Sequence, residues 1–302
     1  MEGFERTEDV EKGLRLIPAL GEVMPDEAGE EARSVYEAVQ THLRVPIVNF
    51  LLRSLANYPS YLSFAWNKIE PYLLTAYFEE AADGMRARSL VEPVPDAAGV
   101  DLSSLGDLEQ IRGFTDTIHY ALPKLLLVSS ALDEGLGGEA GAAEGASREA
   151  GTEPGVAAGT TSVPLIGPDE ATEEVEKVFE EIRDRHGHPD VASYYRGIAQ
   201  WPGFLEAAWE RVGAVVNTIA YEERKRDVLE AARDAVLGLS LPGKREVLER
   251  GAVDEEQVGE LRAILAVFRF RLNADTLLDV SLVKALLDGP EAARSSRFSF
   301  TG

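Results

Sequence analysis

Residues 25–80 align with residues 168–223 at a constant offset of 143 positions and without a gap. The segment PDEAGEEARSVYEAV of the first stretch faces PDEATEEVEKVFEEI of the second. Identical residues recur along the whole alignment, among them Pro25 and Pro168, Asp26 and Asp169, Pro46 and Pro189, Arg53 and Arg196, Pro59 and Pro202, Trp66 and Trp209, and Thr75 and Thr218. A match of this length predicts a chain made of two copies of one structural unit.

The repeated unit has the sequence pattern of a helical structure. Apolar residues recur at helical spacing at Val48, Leu51, Leu52 and Leu55. Prolines open several segments, where they suit the first turn of a helix, and the acidic residues that follow are favoured by the helix dipole. A weaker match at an offset of 150 pairs IRGFTDTIHYALPKLL with LRAILAVFRFRLNADTLL. Because no segment alternates like a strand, we predict an all-α fold.

The stretch between the two copies differs in composition from both of them. Residues 133–164 are rich in Gly, Ala and acidic residues and poor in large apolar ones. Such a composition buries too little surface to offset the entropy of ordering, so it predicts a flexible linker. Repeat one would then span residues 1–132 and repeat two residues 165–302. A tether of this length lets the copies pack as an intramolecular pseudo-dimer about an approximate two-fold axis.

The charge balance excludes several classes of partner. The chain has 53 acidic and 30 basic residues and a formal net charge of -23. This surface repels nucleic acid and anionic membranes.

No apolar run approaches the length of a membrane span, about 18 residues, and the polar N-terminus does not resemble a signal peptide, so we predict a cytoplasmic protein. We interpret the acidity as adaptation to high salt, with an ordinary acidic cytosolic protein as the alternative.

Residue types limit the possible chemistry. The chain has no cysteine, which excludes disulfides, thiolate nucleophiles and Cys-based metal sites. The sequence contains no nucleophile elbow, phosphate loop or HExxH motif.

His186 and His188 form an HGH run that is read either as solvated loop histidines or, less readily, as part of a metal site. His119 is interpreted either as a polar pocket residue or as a half-exposed helix residue, and we predict the second. The recurring arginine and tryptophan are interpreted as scaffold residues in ion pairs or cation–π contacts.

The two copies differ most in chemistry at one position. The first copy reads Pro46-Ile47-Val48, and the second reads Pro189-Asp190-Val191. One interpretation places Asp190 in a first helical turn, where a carboxylate satisfies free N–H groups. The other places it at the junction of the two units, as a general base that polarises a water molecule. Both interpretations stay open at this point.

The duplicated unit, the Pro-Asp-Val start, the R-x5-P-x6-W spacing from Arg53 to Trp66 and the IHYALPKLLL helix resemble the DehI family of 2-haloacid dehalogenases. The resemblance covers about residues 14 to 288, and the family type implied is group I, which acts on both D and L enantiomers. It implies an all-α pseudo-dimer with the site between the repeats and no cofactor or metal. It also implies that an Asp-activated water attacks C2 of a 2-halo acid directly and inverts it, without an ester intermediate.

The resemblance assigns roles to particular residues. Asp190 matches the general base, and Thr117 stands where the family has an asparagine beside the reacting water. The implied substrate-binding residues are Ile47, Phe50, Tyr120, Pro189, Phe204, Val267, Phe270 and Arg271. Thr117, Ile47, Pro189 and Arg271 depart from the family's residue types. The alternative is therefore a helical module that binds or transforms another small 2-substituted carboxylate. The implied partner in either case is a small molecule, with a homodimer left open.

Overall fold

The fold was analysed in a computed structural model that describes residues 6–95, 101–138, 149, 151–241 and 243–299. Within these ranges the chain forms α-helices and no strand, which confirms the predicted all-α class. The helices are α1 Thr7–Leu20, α2 Glu30–Leu43, α3 Phe50–Leu55, α4 Pro59–Leu73, α5 Ala76–Arg88, α6 Leu108–Gly137, α7 Glu173–His186, α8 Ser193–Ile198, α9 Pro202–Val215, α10 Ile219–Val236, α11 Lys244–Glu249, α12 Glu255–Val267 and α13 Ala274–Asp288. A π-helical segment, Phe268–Asn273, joins α12 to α13. None of the described helices is both long and apolar enough to cross a bilayer.

Equivalent sequence signals begin equivalent helices in the two aligned stretches. Helices α7 to α10 each begin 143 residues after the corresponding helix of α2 to α5. Pro59 and Pro202 occupy the first turns of α4 and α9. The hydroxyl oxygens of Thr75 and Thr218 accept hydrogen bonds from backbone N–H groups at the starts of α5 and α10. These prolines and threonine caps explain why the two stretches divide into helices at the same places.

Helices α6 and α13 form the centre of the core. Helix α6 contacts α5, α10, α12 and α13, while α13 also contacts α9 and α10. Helix α1 packs along α12, and the closest approach is at Gly13, where a Cβ atom would clash with the carbonyl oxygen of Ala263. Elements from the two aligned stretches therefore share one continuous core.

The central helix α6 contains a proline, which lacks a backbone N–H, and a side chain from another helix donates hydrogen bonds in its place. Pro123 cannot donate to the carbonyl of His119 one turn earlier. The fully buried Arg86 of α5 donates its Nε to this carbonyl at 3.2 Å and its Nη2 to the carbonyl of Tyr120 at 3.2 Å. Arg86 thus satisfies buried backbone oxygen atoms that would otherwise destabilise the fold.

The prediction of a flexible linker over residues 133–164 is wrong at both ends. Helix α6 continues to Gly137, and Asp133 is buried in an ion pair with Arg269. Residues 151–164 run along the protein, where the N–H of Gly151 donates to the carbonyl of Leu74 at 2.8 Å and that of Ala157 to the carbonyl of Arg44 at 3.0 Å. Residues 139–148 and 150 lie outside the described residues. Composition misled us here because backbone hydrogen bonds and a few apolar side chains, among them Ala157 and Val163, hold the later part.

His119 is buried rather than half-exposed, which corrects the prediction for this residue. Only 1% of its surface is exposed, and its Nε2 donates to the carbonyl of Ala293 at 3.0 Å. Burial, together with the charges of Arg86 and Lys284, lowers the pKa of His119 well below its usual value. The folded protein therefore holds this imidazole in its neutral form.

Acidification is expected to destabilise the fold through His119. Below about pH 6.5 the unfolded chain binds a proton at this imidazole that the folded chain does not bind, so the free energy of unfolding falls as the pH falls. His119→Gln keeps a donor for Ala293 and removes this titration. Urea unfolding at several pH values between 7.5 and 5 should give a shallower slope for the variant than for the wild type. His42→Gln, at a half-exposed histidine, is the control. Equal slopes for wild type and His119→Gln would refute the assignment.

Candidate active site

An apolar cavity of about 160 Å³ lies between elements of both aligned stretches. Its walls come from α3 and the residues before it, one face of α6, residues 163–165, the start of α8, and the π segment with α13. The α6 face consists of residues at helical spacing: Phe114, Ile118, Ala121, Leu122 and Leu125. Polar side chains enter the wall at Asn49, Arg53, Ser193, Asn273 and Thr276. The cavity is thus an apolar space with a few polar groups, as expected of a small-molecule site.

Two of the predicted substrate-binding residues lie in this wall. Ile47 and Phe50 both line the cavity. The ring of Phe50 packs edge-to-face on Phe268 of the π segment, with 5.1 Å between the ring centroids. Ile47, the position before α3 that the comparison of the two aligned stretches singled out, therefore lies in the cavity wall.

Thr117 is not among the residues that line this cavity, and the catalytic role predicted for it stays a prediction. Its buried hydroxyl donates to the carbonyl of Gly113 at 2.8 Å and accepts from the N–H of Thr161 at 2.8 Å. The hydroxyl therefore donates to one backbone group and accepts from another. It holds the segment that places Val163 and Leu165 in the cavity wall.

Tyr120 is likewise not among the residues that line the cavity, and its predicted contact with substrate stays a prediction. Its hydroxyl donates to Glu79 Oε1 at 3.0 Å and accepts from Lys124 Nζ at 2.7 Å and Arg44 Nη1 at 3.2 Å. Burial raises the pKa of Tyr120 and lowers the pKa of Lys124 to about 8. The tyrosine thus belongs to a buried charged cluster, because one step along α6 turns a side chain by about 100°.

The remaining predicted substrate-binding residues lie outside the cavity wall. Phe204, Val267 and Phe270 are core side chains, each 1% exposed or less. The ring of Phe270 lies under the Arg269 guanidinium, 4.8 Å from its centroid. Pro189 and Arg271 are half-buried. The predicted contacts of these five residues with substrate stay predictions, while the π segment places Phe268 and Leu272 in the cavity wall.

Asp190 lies in the bend between α7 and α8, two residues before Ala192 of the cavity wall, and is not itself among the residues that line the cavity. Helix α8 begins at Ser193, so the first-turn interpretation is wrong, and the carboxylate accepts only the N–H of Val191, at 2.7 Å, among the described hydrogen bonds. The side chain is half-buried. Burial raises the pKa of Asp190, against the opposing effects of this N–H, Arg196 and Arg183. A carboxylate with a raised pKa is a stronger base.

A shared carboxylate joins the two arginines that recur in the aligned stretches. Arg53 Nε donates to Glu22 Oε2 at 2.6 Å, and Arg196 Nη1 donates to Glu22 Oε1 at 2.9 Å. Arg53 Nη2 also reaches Ser193 Oγ across the junction, at 3.1 Å. The interpretation of these arginines as ion-paired scaffold residues agrees with this geometry. Sequence reasoning missed Glu22. The residue 143 positions later is Leu165, so the alignment gives Glu22 no matching partner.

The HGH run is buried in a second charged cluster rather than solvated. The rings of His186 and His188 stack with 4.5 Å between centroids and 10° between planes. His186 Nε2 lies 2.9 Å from Asp279 Oδ2, and His188 Nε2 lies 2.9 Å from Asp275 Oδ2. Lys225 Nζ approaches Asp275 Oδ1 at 2.7 Å. The interpretation of solvated loop histidines is therefore wrong.

The geometry of this histidine cluster fits an ion-pair network better than a metal site. Candidate ligand atoms of His186, His188 and Asp275 lie within 4.8 Å of one another. A metal must lie in the plane of each imidazole, and two parallel stacked rings share no such plane. The ammonium of Lys225 already neutralises Asp275. Burial alone would lower the pKa of His186, but the carboxylates of Asp279 and Asp275 raise it above its usual value. The cluster therefore favours the protonated ring, whose positive charge would balance the charge of Asp279.

Comparison with known proteins identifies the family. Residues 46–195 match the family described as halocarboxylic acid dehydrogenase DehI. A configuration-inverting 2-haloacid dehalogenase of Alcaligenes xylosoxydans xylosoxydans is 34% identical over 282 residues, which cover 89% of this chain and 94% of the relative. The chain belongs to the DehI family of 2-haloacid dehalogenases. Members of this family are hydrolases that act on carbon–halide bonds.

Other relatives confirm the fold and correct one expectation. An (R)-2-haloacid dehalogenase of Pseudomonas putida is 26% identical over 259 residues, which cover 82% of this chain and 86% of the relative. A crystal structure of a D-2-haloacid dehalogenase mutant superposes with a TM-score of 0.77 at 24% identity, over 89% of this chain and 96% of that chain. The expectation that the family acts on both enantiomers is therefore wrong as a general property, because some members are named for the R enantiomer.

Proposed function

We propose that this protein hydrolyses short-chain 2-haloalkanoic acids, including the R enantiomer, to 2-hydroxy acids. The proposal rests on the apolar cavity at the junction of the aligned stretches, together with the names of its relatives. A cavity of roughly 150 Å³ is known to hold benzene, and the volume of about 160 Å³ is similar. Benzene and 2-bromopropanoate each have about six non-hydrogen atoms. The cavity volume therefore suits an acid with a short side chain.

In the proposed mechanism Asp190 acts as a general base. Its carboxylate takes a proton from a water molecule, whose oxygen forms a bond to C2 on the side opposite the halogen. The carbon–halogen bond breaks with its electron pair, halide leaves, and the configuration at C2 inverts. The raised pKa of the half-buried carboxyl supports this role, and the apolar walls would keep other water away from the reacting carbon.

The proposal includes a tandem architecture in which two copies of one helical unit form an intramolecular pseudo-dimer. It is supported by the equal spacing of the helix starts and by a cavity whose wall takes residues from both stretches. The unit boundaries are then best drawn after Gly137 and before Pro168, with residues 151–164 packed against repeat one. A cytoplasmic location, adaptation to high salt and a homodimer remain proposals, and an unfolding series in KCl would test the second of them.

Halide release from separate enantiomers tests the proposed function. Purified protein should release bromide from (R)-2-bromopropanoate and yield (S)-lactate, and it should act more slowly on 2-bromohexanoate, whose side chain exceeds the cavity. Ion chromatography and chiral chromatography of the products give the readouts, with heat-denatured protein as the blank. Absence of bromide release from both enantiomers at low and high salt would contradict the proposal.

A second candidate function is binding of another small 2-substituted carboxylate without dehalogenation. It is favoured by Thr117, whose hydroxyl proton is committed to the carbonyl of Gly113 and which is not among the residues that line the cavity. In a thermal-shift series, a larger stabilisation by 2-hydroxy acids than by 2-halo acids, without halide release, would support this alternative.

A further inference from the structure

Asn49 brings an unused hydrogen-bond donor to the cavity. Asn49 lines the cavity directly before α3. Its Nδ2 atom is buried and has no hydrogen-bond partner among the described residues. An amide N–H that is removed from water without a partner costs free energy, so a donor in this state marks a place where a ligand can recover the lost bond.

The orientation of this amide is fixed by the helix that it caps. Asn49 Oδ1 accepts the backbone N–H of Leu52 at 3.1 Å and so caps the N-terminus of α3. Because the oxygen is committed to the helix, the amide nitrogen cannot exchange places with it without losing the cap. The Nδ2 donor is therefore held in one direction before any ligand arrives.

The wall around Asn49 suits an anion. All three nitrogen atoms of the Arg53 guanidinium are bonded, to Glu22, to the carbonyl of Val48 and to Ser193. Since Ser193 Oγ accepts from Arg53, its own proton is available as a second donor in the same wall. Glu22 is one carboxylate shared by Arg53 and Arg196, and the carboxylate of Asp190 also interacts with Arg196, so the two arginine charges are balanced. Two neutral donors in the wall of an apolar cavity can bind a carboxylate through charge-assisted hydrogen bonds.

We propose that Asn49 is a positioning residue that binds the carboxylate of the substrate through Nδ2, with the Ser193 hydroxyl as the second donor. The inference rests on the proposed function and names the group that anchors its substrate. Holding the carboxylate at this point fixes C2 and its side chain within the apolar part of the cavity. The ligand class is a short monocarboxylate, whether or not it carries a halogen.

The test compares variants that keep the helix cap but lose the donor. Asn49→Asp and Asn49→Ser both retain an oxygen that caps α3. Binding of propanoate, which has no halogen, is measured by calorimetry, and the KM and kcat for (R)-2-bromopropanoate are measured separately. We expect propanoate affinity to fall between about 10- and 150-fold, the usual range for losing a hydrogen bond to a charged group. KM should rise more than kcat falls. Asn217→Asp, at an asparagine outside the cavity wall, controls for the added charge.

The outcomes distinguish this inference from the proposed function. Unchanged propanoate affinity in both variants, with melting temperatures near that of the wild type, would overturn the assignment of Asn49. Unchanged propanoate affinity with a slower bromide release would likewise overturn it, since Asn49 would then serve the leaving halide. If wild-type protein binds propanoate in an Asn49-dependent way but releases no halide, the carboxylate site stands and the dehalogenase proposal fails.

Discussion

Asp190→Asn is expected to slow halide release from (R)-2-bromopropanoate by about 10²- to 10⁴-fold, the usual contribution of a general base. The amide has nearly the same shape as the carboxylate but cannot accept a proton from water. It leaves the fold intact because the carboxylate makes one described hydrogen bond, to the N–H of Val191, which an amide oxygen can also accept. Initial rates of bromide release at saturating substrate give the measurement.

The matched control for this substitution is Asp184→Asn. Asp184 lies on the exposed face of α7, a few residues before the same bend. Its replacement makes the same chemical change at the surface and should leave the rate within twofold of the wild type. Asp190→Asn protein should also keep its affinity for propanoate, because the proposed anchor at Asn49 is untouched. A wild-type rate in Asp190→Asn would remove Asp190 from the mechanism.

Arg269→Ala is expected to lower the free energy of unfolding by about 3 kcal/mol, the cost of removing one partner from a buried ion pair. Arg269 Nη1 lies 2.9 Å from Asp133 Oδ2 and 2.7 Å from Glu134 Oε1, and it links the π segment to the end of α6. Burial already raises the pKa of Asp133 despite its contacts with Arg6 and Arg269. Without Arg269 these carboxylates would be buried with too little positive charge. Urea unfolding followed by circular dichroism measures the effect.

Arg245→Ala is the control for the loss of an arginine ion pair. The Arg245 side chain is 90% exposed and pairs with Glu249 on the surface of α11, so its removal should cost less than about 1 kcal/mol. The double variant Asp133→Leu with Arg269→Met should regain part of the stability lost in the single variant, since it leaves fewer charges unpaired. A loss below about 1 kcal/mol in Arg269→Ala would show that the buried pair adds little.

Local sequence signals predicted the helices well. Proline at a first helical turn and threonine at a cap act within a few residues, so Pro59 and Thr75 mark helix starts in the sequence that the structure keeps. The alignment of the two stretches showed each signal a second time, at Pro202 and Thr218. It also drew attention to Asp190 as the position where the copies differ most in charge.

The cavity wall was harder to predict, because it depends on directions and distant partners. Tyr120 and Ala121 are neighbours in sequence, yet one joins a charged cluster and the other lines the cavity. The π segment changes which residues of the α12–α13 helix face inward, and no periodic pattern marked it. Neither Glu22 nor Asn49 recurs in the alignment or belongs to a motif. Glu22 is placed between two arginines, and Asn49 in the cavity wall, only by the fold. The ordered position of residues 151–164 was not predicted either, because it depends on hydrogen bonds to residues that are distant in sequence, such as Leu74 and Arg44.

A single-turnover reaction in H₂¹⁸O tests the central claim most directly. Enzyme in excess over (R)-2-bromopropanoate is quenched after one turnover, and the 2-hydroxy acid and the peptide that contains Asp190 are analysed by mass spectrometry. If Asp190 activates water for direct attack, the label appears in the product and the peptide mass is unchanged. Label in the carboxyl group of Asp190, with an unlabelled first-turnover product, would mean that the side chain itself attacks C2, and it would contradict the account.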